Sequence, residues 1–399
     1  MSTIRALIAL EEGIGPEMVE GALPLAGIEV LEWIDGASTE PRARRDADAD
    51  LLIVACSSKS NGSIPIIENA AKLQLERPIV VLQIDPAESN GFMHEVFAAG
   101  ADDIIVLPET PEGIRHALQK AIARKRGATL AGGAAPGRLI CVLGPKGGTG
   151  KTVTACNLAV ALADEGRRVG LVDLDLHFGD VGLGLRLTPE RTIYDLARSG
   201  GTLDAEKLED YLTTHPSGVR ALLAPIRPDQ AGAVSPGFIA EVLALLRSMS
   251  DVVVVDTSAG FGPEVITSID SSSDVCVVGM LDAFSLKDTK LGLETLDRMG
   301  YDRGSIRLTL NRADTHVGIS HEDVKAILGR DPDILIPSQR DIPRTVTQGT
   351  PIVTAQPKSG AAKAFRTLAS LYAMEPAEAP ELKPEQFPKP RRRPLLRRA

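Results

Sequence analysis

One glycine-rich segment places the tightest constraint on how this chain can fold. It reads Gly144, Pro145, Lys146, Gly147, Gly148, Thr149, Gly150, Lys151, Thr152. An apolar run over 139–143 precedes it and a helical pattern from Val153 to Asp164 follows it, which predicts a strand, a loop and a helix. Glycines let successive backbone N–H groups turn toward one anion, and the helix N-terminus adds partial positive charge. The segment therefore predicts a phosphate-binding loop.

Two side chains at the end of this loop suit nucleotide chemistry. Lys151 can reach the β- and γ-phosphates, and the hydroxyl of Thr152 can bind Mg²⁺. The sequence thus predicts ATP and Mg²⁺ as cofactors. The residues expected around the phosphates are Lys146, Gly147, Gly148, Thr149, Gly150, Lys151, Thr152 and Val153. A glycine-rich turn that binds no ligand is the structural alternative.

The loop departs from the strict Walker A spacing at its start. That spacing requires glycine at position 145, where the chain has Pro145, and a second lysine, Lys146, follows. The form Lys-Gly-Gly-x-Gly-Lys-Thr resembles the deviant Walker A loop of the ParA/MinD ATPases. The resemblance implies an ATP-dependent homodimer in which Lys146 reaches the partner's nucleotide, and it makes Lys146 and Lys151 catalytic candidates.

Three aspartates follow predicted strands of the same sheet. Asp173 and Asp175 would share one face if their strand extended that far, because strand residues alternate between faces. By the resemblance, Asp173 supports the Mg²⁺ shell and Asp175 orients or deprotonates the attacking water. The apolar run Val252–Val255 and Asp256 resemble a Walker B strand, so Asp256 would hold the metal through water. Thr257–Gly260 forms a candidate switch. Solvated carboxylates at ordinary strand ends are the alternative.

Two later segments are predicted to contact the base. Asn311 and Arg312 resemble the Asn-Arg pair that contacts adenine in this family, and Pro337 occupies the family's other base-contacting position. An asparagine amide can both donate to and accept from a purine edge. The predicted metal set is Thr152, Asp173 and Asp256.

The first 126 residues predict a separate domain. Five apolar runs alternate with helical segments, which predicts a small parallel sheet of flavodoxin-like type. The predicted strands are Ala6–Leu10, Glu29–Ile34, Leu51–Cys56, Ile79–Gln83 and Ile104–Leu107. The run over 97–105 resembles response-regulator receiver domains. The acidic pair Glu11 and Glu12 is present, but Cys56 and Gln83 stand where a phosphoacceptor aspartate and a Ser or Thr are expected. We expect a degenerate receiver used for binding or dimerisation; a receiver that uses another carboxylate is the alternative.

The remaining chain is predicted to contain a linker, an ATPase domain and a tail. Residues 127–137 are small and flexible, which is typical of a linker. Residues 138–374 predict a doubly wound, mostly parallel α/β P-loop ATPase domain. Its predicted strands are Leu139–Leu143, Val169–Asp173, Ala221–Ala224, Val252–Asp256, Val275–Met280, Ile306–Leu310 and Ile334–Ile336. The tail over 375–399 is predicted to be disordered, with a basic end.

Composition narrows the functional classes. The net charge of −9 disfavours attraction of the whole protein to nucleic acid. The four cysteines form no Cys-x-x-Cys pair, which argues against an iron–sulfur cluster and favours small buried residues in a reducing compartment. No apolar run approaches about 18 residues, the length of a membrane span. We expect a cytoplasmic protein.

The layout of a receiver-like domain followed by the ATPase, together with Leu176–Leu183, resembles the TadZ/CpaE proteins. That resemblance implies an organiser of Tad (Flp) pilus assembly and secretion, at the cell pole or inner membrane face, with pilus assembly or secretion proteins as partners. A ParA-type partition ATPase that binds DNA as an ATP dimer, and a scaffold with a vestigial nucleotide site, are the alternatives. The six basic residues within 389–399 predict contact with anionic lipid or a solvated tail with equal weight.

Overall fold

The computed structural model divides the chain into two compact units, Met1–Ala135 and Pro136–Ala399. It describes residues 3–22, 27–35, 49–57, 62–72, 77–85, 90–111, 113–115, 117–118, 121–122, 125, 136–315 and 317–373. The predicted tail lies outside these residues, and so does the predicted linker except for its last two positions. Gly137, at the end of that predicted linker, is packed into the second unit, where its backbone N–H donates to the Arg247 carbonyl at 2.8 Å.

The first unit contains a parallel sheet of five strands within the described residues. These are β1 (Ile4–Leu10), β2 (Ile28–Asp35), β3 (Leu51–Cys56), β4 (Ile79–Gln83) and β5 (Asp103–Val106). Their order is β2-β1-β3-β4-β5, which is the order of flavodoxin-type sheets. Apolar clusters cover both faces of the sheet, which explains why β1, β3 and β4 read as continuous apolar runs. The accompanying helices are α1 (Pro16–Ala22), α2 (Ser63–Lys72) and α3 (Asn90–Ala98).

The second unit is built on an eight-stranded sheet. Its strands are β6 (Arg138–Gly144), β7 (Val169–Leu174), β8 (Thr213–Thr214), β9 (Arg220–Leu222), β10 (Val252–Ala259), β11 (Asp274–Met280), β12 (Ile306–Asn311) and β13 (Ile334–Leu335). The order is β13-β12-β11-β6-β10-β7-β9-β8. All neighbours are parallel except β8 and β9, which are antiparallel. The prediction of a mostly parallel α/β sheet is confirmed for this unit.

Helices pack on both faces of this sheet. They are α4 (Lys151–Asp164), α5 (Val181–Gly184), α6 (Ile193–Arg198), α7 (Ala205–Glu209), α8 (Pro236–Met249), α9 (Pro263–Ser271), α10 (Ala283–Arg298), α11 (His321–Leu328), α12 (Asp341–Gln348), α13 (Ile352–Ala355) and α14 (Gly360–Ala373). Helices α4 and α14 bury one face, where Phe365 is fully enclosed. Among the described residues, no helix combines the length and apolar character needed to cross a bilayer.

Several predicted strand ends are wrong in ways that bear on the site. Strand β7 ends at Leu174, so Asp175 lies beyond it and the predicted alternation with Asp173 does not apply. Strand β10 continues to Ala259, so most of the predicted switch segment Thr257–Gly260 belongs to a strand. Strand β9 covers Arg220–Leu222 only, and β8 is an edge strand of two residues that apolar patterning could not reveal. All four cysteines are buried and unpaired, as expected.

Candidate nucleotide-binding site

The glycine-rich loop joins the central strand β6 to helix α4 and forms a close-fitting cradle. Gly148 and Gly150 have positive φ angles of 80° and 98°, a conformation that glycine adopts without the strain of a side chain. A Cβ on Gly144 would lie 2.7 Å from the Thr149 hydroxyl. The Thr149 hydroxyl donates to the Lys146 carbonyl at 3.4 Å, which closes the turn. Glycine is therefore favoured at Gly148 by its positive φ angle and at Gly144 by lack of space, and both conditions apply at Gly150.

A side chain from a distant strand holds the loop in place. The Asn311 amide, at the end of β12, donates to the Thr149 carbonyl at 3.0 Å. The Asn311 oxygen accepts from the backbone N–H of Arg312 at 2.9 Å. A Cβ on Gly150 would collide with the Asn311 amide, so the close approach requires glycine. Asn311, which the sequence predicts to contact the base, thus contacts the phosphate loop.

Two carboxylates lie opposite each other beside the start of α4. Strands β7 and β10 are neighbours, and their register pairs Asp173 with Asp256. Both side chains are almost completely buried. Asp173 accepts hydrogen bonds from the backbone N–H groups of Asp175 at 3.1 Å and Val181 at 3.0 Å. Neither oxygen of Asp256 accepts a hydrogen bond of normal geometry from the described part of the chain.

This pair carries an electrostatic cost that its surroundings only partly offset. Burial and the charge of Asp256 raise the pKa of Asp173 well above its usual value, while the two backbone N–H donors lower it. Burial raises the pKa of Asp256 to about 7, and the Thr152 hydroxyl and the Lys151 ammonium oppose that rise. Two buried carboxylates on neighbouring strands favour the binding of a cation or a proton.

The donors at this position fit a hydrated Mg²⁺ ion. Mg²⁺ prefers oxygen ligands, keeps several waters and needs only one or two carboxylates. The two buried oxygens of Asp256 accept no hydrogen bond of normal geometry from the described residues, although the Thr152 hydroxyl is close enough to lower the pKa of this carboxylate. The oxygens of Asp173 are already engaged by backbone N–H groups. Thr152 and Asp256 would therefore hold such an ion, with Asp173 supporting the surrounding water.

Asp175 lies on the loop after β7, half-buried, and its carboxylate accepts from the backbone N–H of Phe178 at 3.2 Å. This loop passes very close to the sheet, because a Cβ on Gly179 would collide with Ala224 and Asp173. Gly179 thereby allows Val181 N–H to reach Asp173. In the sequence, only the family resemblance of this segment singles out Gly179. The requirement for glycine at this position becomes visible only when the segment is packed against the sheet.

The end of β10 is held by two hydroxyl groups. Thr257 donates to the Val142 carbonyl of β6 at 2.8 Å. Ser258 stands where the resembled family often has proline, and its hydroxyl donates to Glu264 of α9 at 3.1 Å. Gly260 follows with a φ of 90°. A side-chain hydrogen bond therefore restrains this segment where a proline ring would otherwise do so.

The two predicted base-contacting segments lie next to each other. Arg312 is exposed and has a positive φ of 52°, while Pro337 is half-buried. The segments are joined by a hydrogen bond from the Ala313 N–H to the Ile336 carbonyl at 2.9 Å. The structure brings Arg312 and Pro337 to the same end of the sheet as the loop, and their contact with adenine stays a prediction.

Lys146 contacts an aromatic ring of its own chain. Its ammonium lies 5.4 Å from the ring centroid of Phe284, the second residue of α10. Lys151, in contrast, is buried, with its side chain against Gly144. Phe284 is 74% exposed, so most of this residue is open to solvent. Sequence patterning gave no signal for this residue.

In the first unit, three polar or thiol groups lie at the carboxyl ends of adjacent strands. Glu11 accepts from the backbone N–H of Ser57 at 2.8 Å, and Gln83 donates to the Asp85 carbonyl at 2.5 Å. Cys56 ends β3, and burial raises the pKa of its thiol to about 12. A neutral, buried thiol therefore occupies the position where the sequence comparison expects a receiver's phosphoacceptor.

Comparison with known proteins finds similarity to a nucleotide-binding family. The family described as the CobQ/CobB/MinD/ParA nucleotide-binding domain matches residues 140–302. The antiactivator FleN of Pseudomonas aeruginosa is 32% identical over 247 residues, covering 59% of this chain and 85% of that protein. The chromosome partitioning protein ParA of Myxococcus xanthus is 41% identical over 106 residues, covering 26% of this chain and 35% of that protein.

Solved structures show the same fold. The septum site-determining protein MinD of Pyrococcus horikoshii, solved with Mg-ADP, is 27% identical and has a TM-score of 0.52. The similarity covers 59% of this chain and 95% of that one. More than half of the present chain is thus similar in sequence to FleN and in fold to MinD.

Proposed function

The chain belongs to the CobQ/CobB/MinD/ParA family of nucleotide-binding proteins, whose ParA and MinD members are P-loop ATPases, and from this we propose that it is an ATP-dependent molecular switch. ATP binding joins two copies, and slow hydrolysis separates them. The observation that carries the proposal is the pair Asp173 and Asp256, placed opposite each other beside Thr152 at the foot of the glycine-rich loop.

The residues of the loop bind and orient the triphosphate. Backbone N–H groups of 147–151 surround the phosphates, and Lys151 neutralises charge on the β- and γ-phosphates. A bound Mg²⁺ would neutralise phosphate charge, including the charge that develops during transfer. Thr152 and Asp256 would hold the hydrated ion, and Asp173 would support its water shell. Asp175 orients the attacking water, so most of the rate comes from positioning and charge neutralisation.

Lys146 completes the site of the second copy. In this proposal its ammonium moves away from the Phe284 ring and contacts the γ-phosphate held by the partner. Dimerisation is thereby linked to the nucleotide state. Arg312 and Pro337 contact the adenine.

The five-stranded first unit, with its flavodoxin-type strand order, acts as a receiver-like binding or dimerisation domain, and its buried Cys56 precludes aspartyl phosphate at that position.

We assign the switch to the localisation and organisation of Tad (Flp) pilus assembly and secretion machinery. The support is the two-unit layout and the resemblance of Leu176–Leu183 to the TadZ/CpaE proteins. Pilus assembly or secretion proteins are the proposed partners, at the cell pole or the inner membrane face. The basic segment 389–399 is proposed to contact anionic lipid there, and sedimentation with anionic liposomes, with and without that segment, tests this contact.

Size-exclusion chromatography with light scattering of the full chain tests the switch. We expect the mass of one chain without nucleotide and with ADP, and twice that mass with ATP in D175A, which binds ATP but hydrolyses it slowly. Equal masses in all three states would refute the ATP-dependent dimer. Unchanged turnover in D175A would refute the role of Asp175 alone.

Partition of DNA is the second candidate function, and the 41% identity to a chromosome partitioning ParA favours it. It predicts ATP-dependent retention of duplex DNA that weakens steeply with salt. The pilus assignment predicts no such retention and instead a polar focus of a fluorescent fusion that K151A disperses. The two functions are therefore separated by one binding assay and one image.

A further inference from the structure

Lys146 contacts the ring of Phe284 on its own chain. The proposed function, however, requires this lysine to reach the nucleotide of a partner. The ammonium lies 5.4 Å from the ring centroid, within the range of a cation–π contact. Lys146 is half-buried, whereas Phe284 is 74% exposed. The ring therefore contributes little to the hydrophobic core, and its described ring contact is with this lysine.

The backbone beneath the ring is rigid. Phe284 lies in the first turn of α10, where the Asp282 carboxylate accepts from the N–H groups of Phe284 at 3.1 Å and Ser285 at 2.9 Å. The Ser285 hydroxyl in turn accepts from the Met280 N–H at 2.9 Å. These bonds tie the start of the helix to the end of β11. The position of the ring is thus set by the sheet that also carries the loop.

The loop also packs against the same helix about two turns further along. Pro145, directly before Lys146, packs onto Gly292, and a Cβ at position 292 would collide with the proline ring. This explains why α10 has glycine on this face, and it gives Pro145 a structural purpose at the position where the loop departs from the strict spacing. Pro145 and Phe284 together fix both ends of the Lys146 side chain.

We propose that Phe284 is a positioning residue that retains Lys146 on its own chain until a second nucleotide-loaded copy arrives. The inference rests on the proposed function, because only a lysine that crosses to a partner has to leave the ring. The retained state competes with the crossing state, so the ring sets the threshold for dimerisation. A side chain that lacks the ring's negative face should lower that threshold.

The expected effect follows from the strength of the contact. An exposed cation–π contact changes an equilibrium by about 2- to 5-fold. Both copies release one lysine in the dimer, so loss of the two rings should tighten nucleotide-dependent association by about 4- to 25-fold. If Phe284 were instead an apolar contact with the partner, its loss would weaken association.

Sedimentation velocity of the full chain with a non-hydrolysable ATP analogue separates these cases. F284L keeps an apolar side chain without the ring, and F284Y keeps the ring. We expect tighter association of F284L by the factor above and wild-type behaviour of F284Y. Unchanged or weaker association of F284L, in a background where the wild type dimerises, overturns the inference. In a K146A background, F284L should have no effect, and a remaining effect also overturns it.

A second measurement examines the contact without dimerisation. Reductive methylation with ¹³C-labelled formaldehyde labels lysines, and K146R identifies the signal of position 146. We expect this signal to be shifted upfield by the ring current in the nucleotide-free wild type and in F284Y, and to lose that shift in F284L. A signal that does not move in F284L overturns the inference. A wild type that never dimerises, with this shift present, overturns the proposed function while the contact stands.

Discussion

The substitution Asp256→Asn should separate the stability of this protein from its activity, because the buried, ionised Asp256 lowers stability until a cation or a proton binds. Its two oxygens are buried, directly opposite Asp173, and accept no hydrogen bond of normal geometry from the described residues. Asparagine has nearly the same shape and no charge. We expect D256N to be more stable than the wild type without nucleotide, and nearly inactive.

The magnitude follows from the pKa of Asp256, which burial raises from 3.8 to about 7. Each pKa unit corresponds to about 1.4 kcal/mol, so the ionised group costs about 4 kcal/mol above pH 7. The buried amide of asparagine lowers stability by about 1–3 kcal/mol, because its polar groups are unsatisfied. The net gain at pH 8 should be about 1–3 kcal/mol, which corresponds to a rise in Tm of about 2–10 °C.

The pH dependence has a definite sign. The folded pKa lies above the unfolded value, so protonation favours the folded state, and the cost is absent below about pH 4. It grows as the pH rises through the interval from 3.8 to about 7, and it is complete above that interval. The stability gain of D256N should therefore be present at pH 8 and be lost by pH 5.

Differential scanning calorimetry at pH 5 and pH 8, with and without Mg-ATP, measures this effect. Mg-ATP should stabilise the wild type far more than D256N, and hydrolysis by D256N should fall by about 10- to 100-fold. D274N is the matched control, because Asp274 is equally buried but pairs with Arg138 at 2.5 Å. Loss of that partner should lower stability. If D256N were destabilised like D274N at pH 8, the reasoning from the burial of an ionised carboxylate would be refuted.

Three further predictions concern the loop and its neighbours. N311A should weaken the binding of ATP and of inorganic tripolyphosphate equally, by about 5-fold for the loss of one hydrogen bond, because Asn311 contacts the loop. Calorimetric titration measures both affinities. If only the affinity for ATP fell, Asn311 would instead contact the base. G179A should displace the loop over Asp173 and slow hydrolysis with little change in ATP affinity, and unchanged turnover would contradict the close approach. K146A should impair dimerisation by light scattering more than nucleotide binding by one chain, and unaltered dimerisation would refute the proposed crossing of Lys146.

The sequence predicted those parts of the fold that depend on local pattern. The runs 139–143 and 252–255 are buried on both faces, so their apolar character alone indicates parallel strands. The loop between β6 and α4 was predictable because glycine spacing and a following helix are also local. Strand ends were less accurate, since Thr257 and Ser258 remain in β10 through hydrogen bonds to β6 and α9.

The remaining parts of the site depend on contacts between residues far apart in the chain. Asn311 reaches the loop across 162 positions. Glycine is required at Gly179 and Gly292 because another element lies so close that a Cβ at either position would collide with it. Phe284 has no periodic pattern to distinguish it from any exposed aromatic residue. Such roles follow from the strand order and could not be read from the spacing of residue types.

The place of β10 between β6 and β7 also governs when the protein can first function during synthesis. The ribosome releases the glycine-rich loop and Asp173 early, yet the strand that separates them in the sheet ends only at Ala259. Until it inserts, β6 and β7 have a gap between them and Asp256 has no position. The nucleotide site described above is therefore complete only after residues up to Ala259 have joined the sheet.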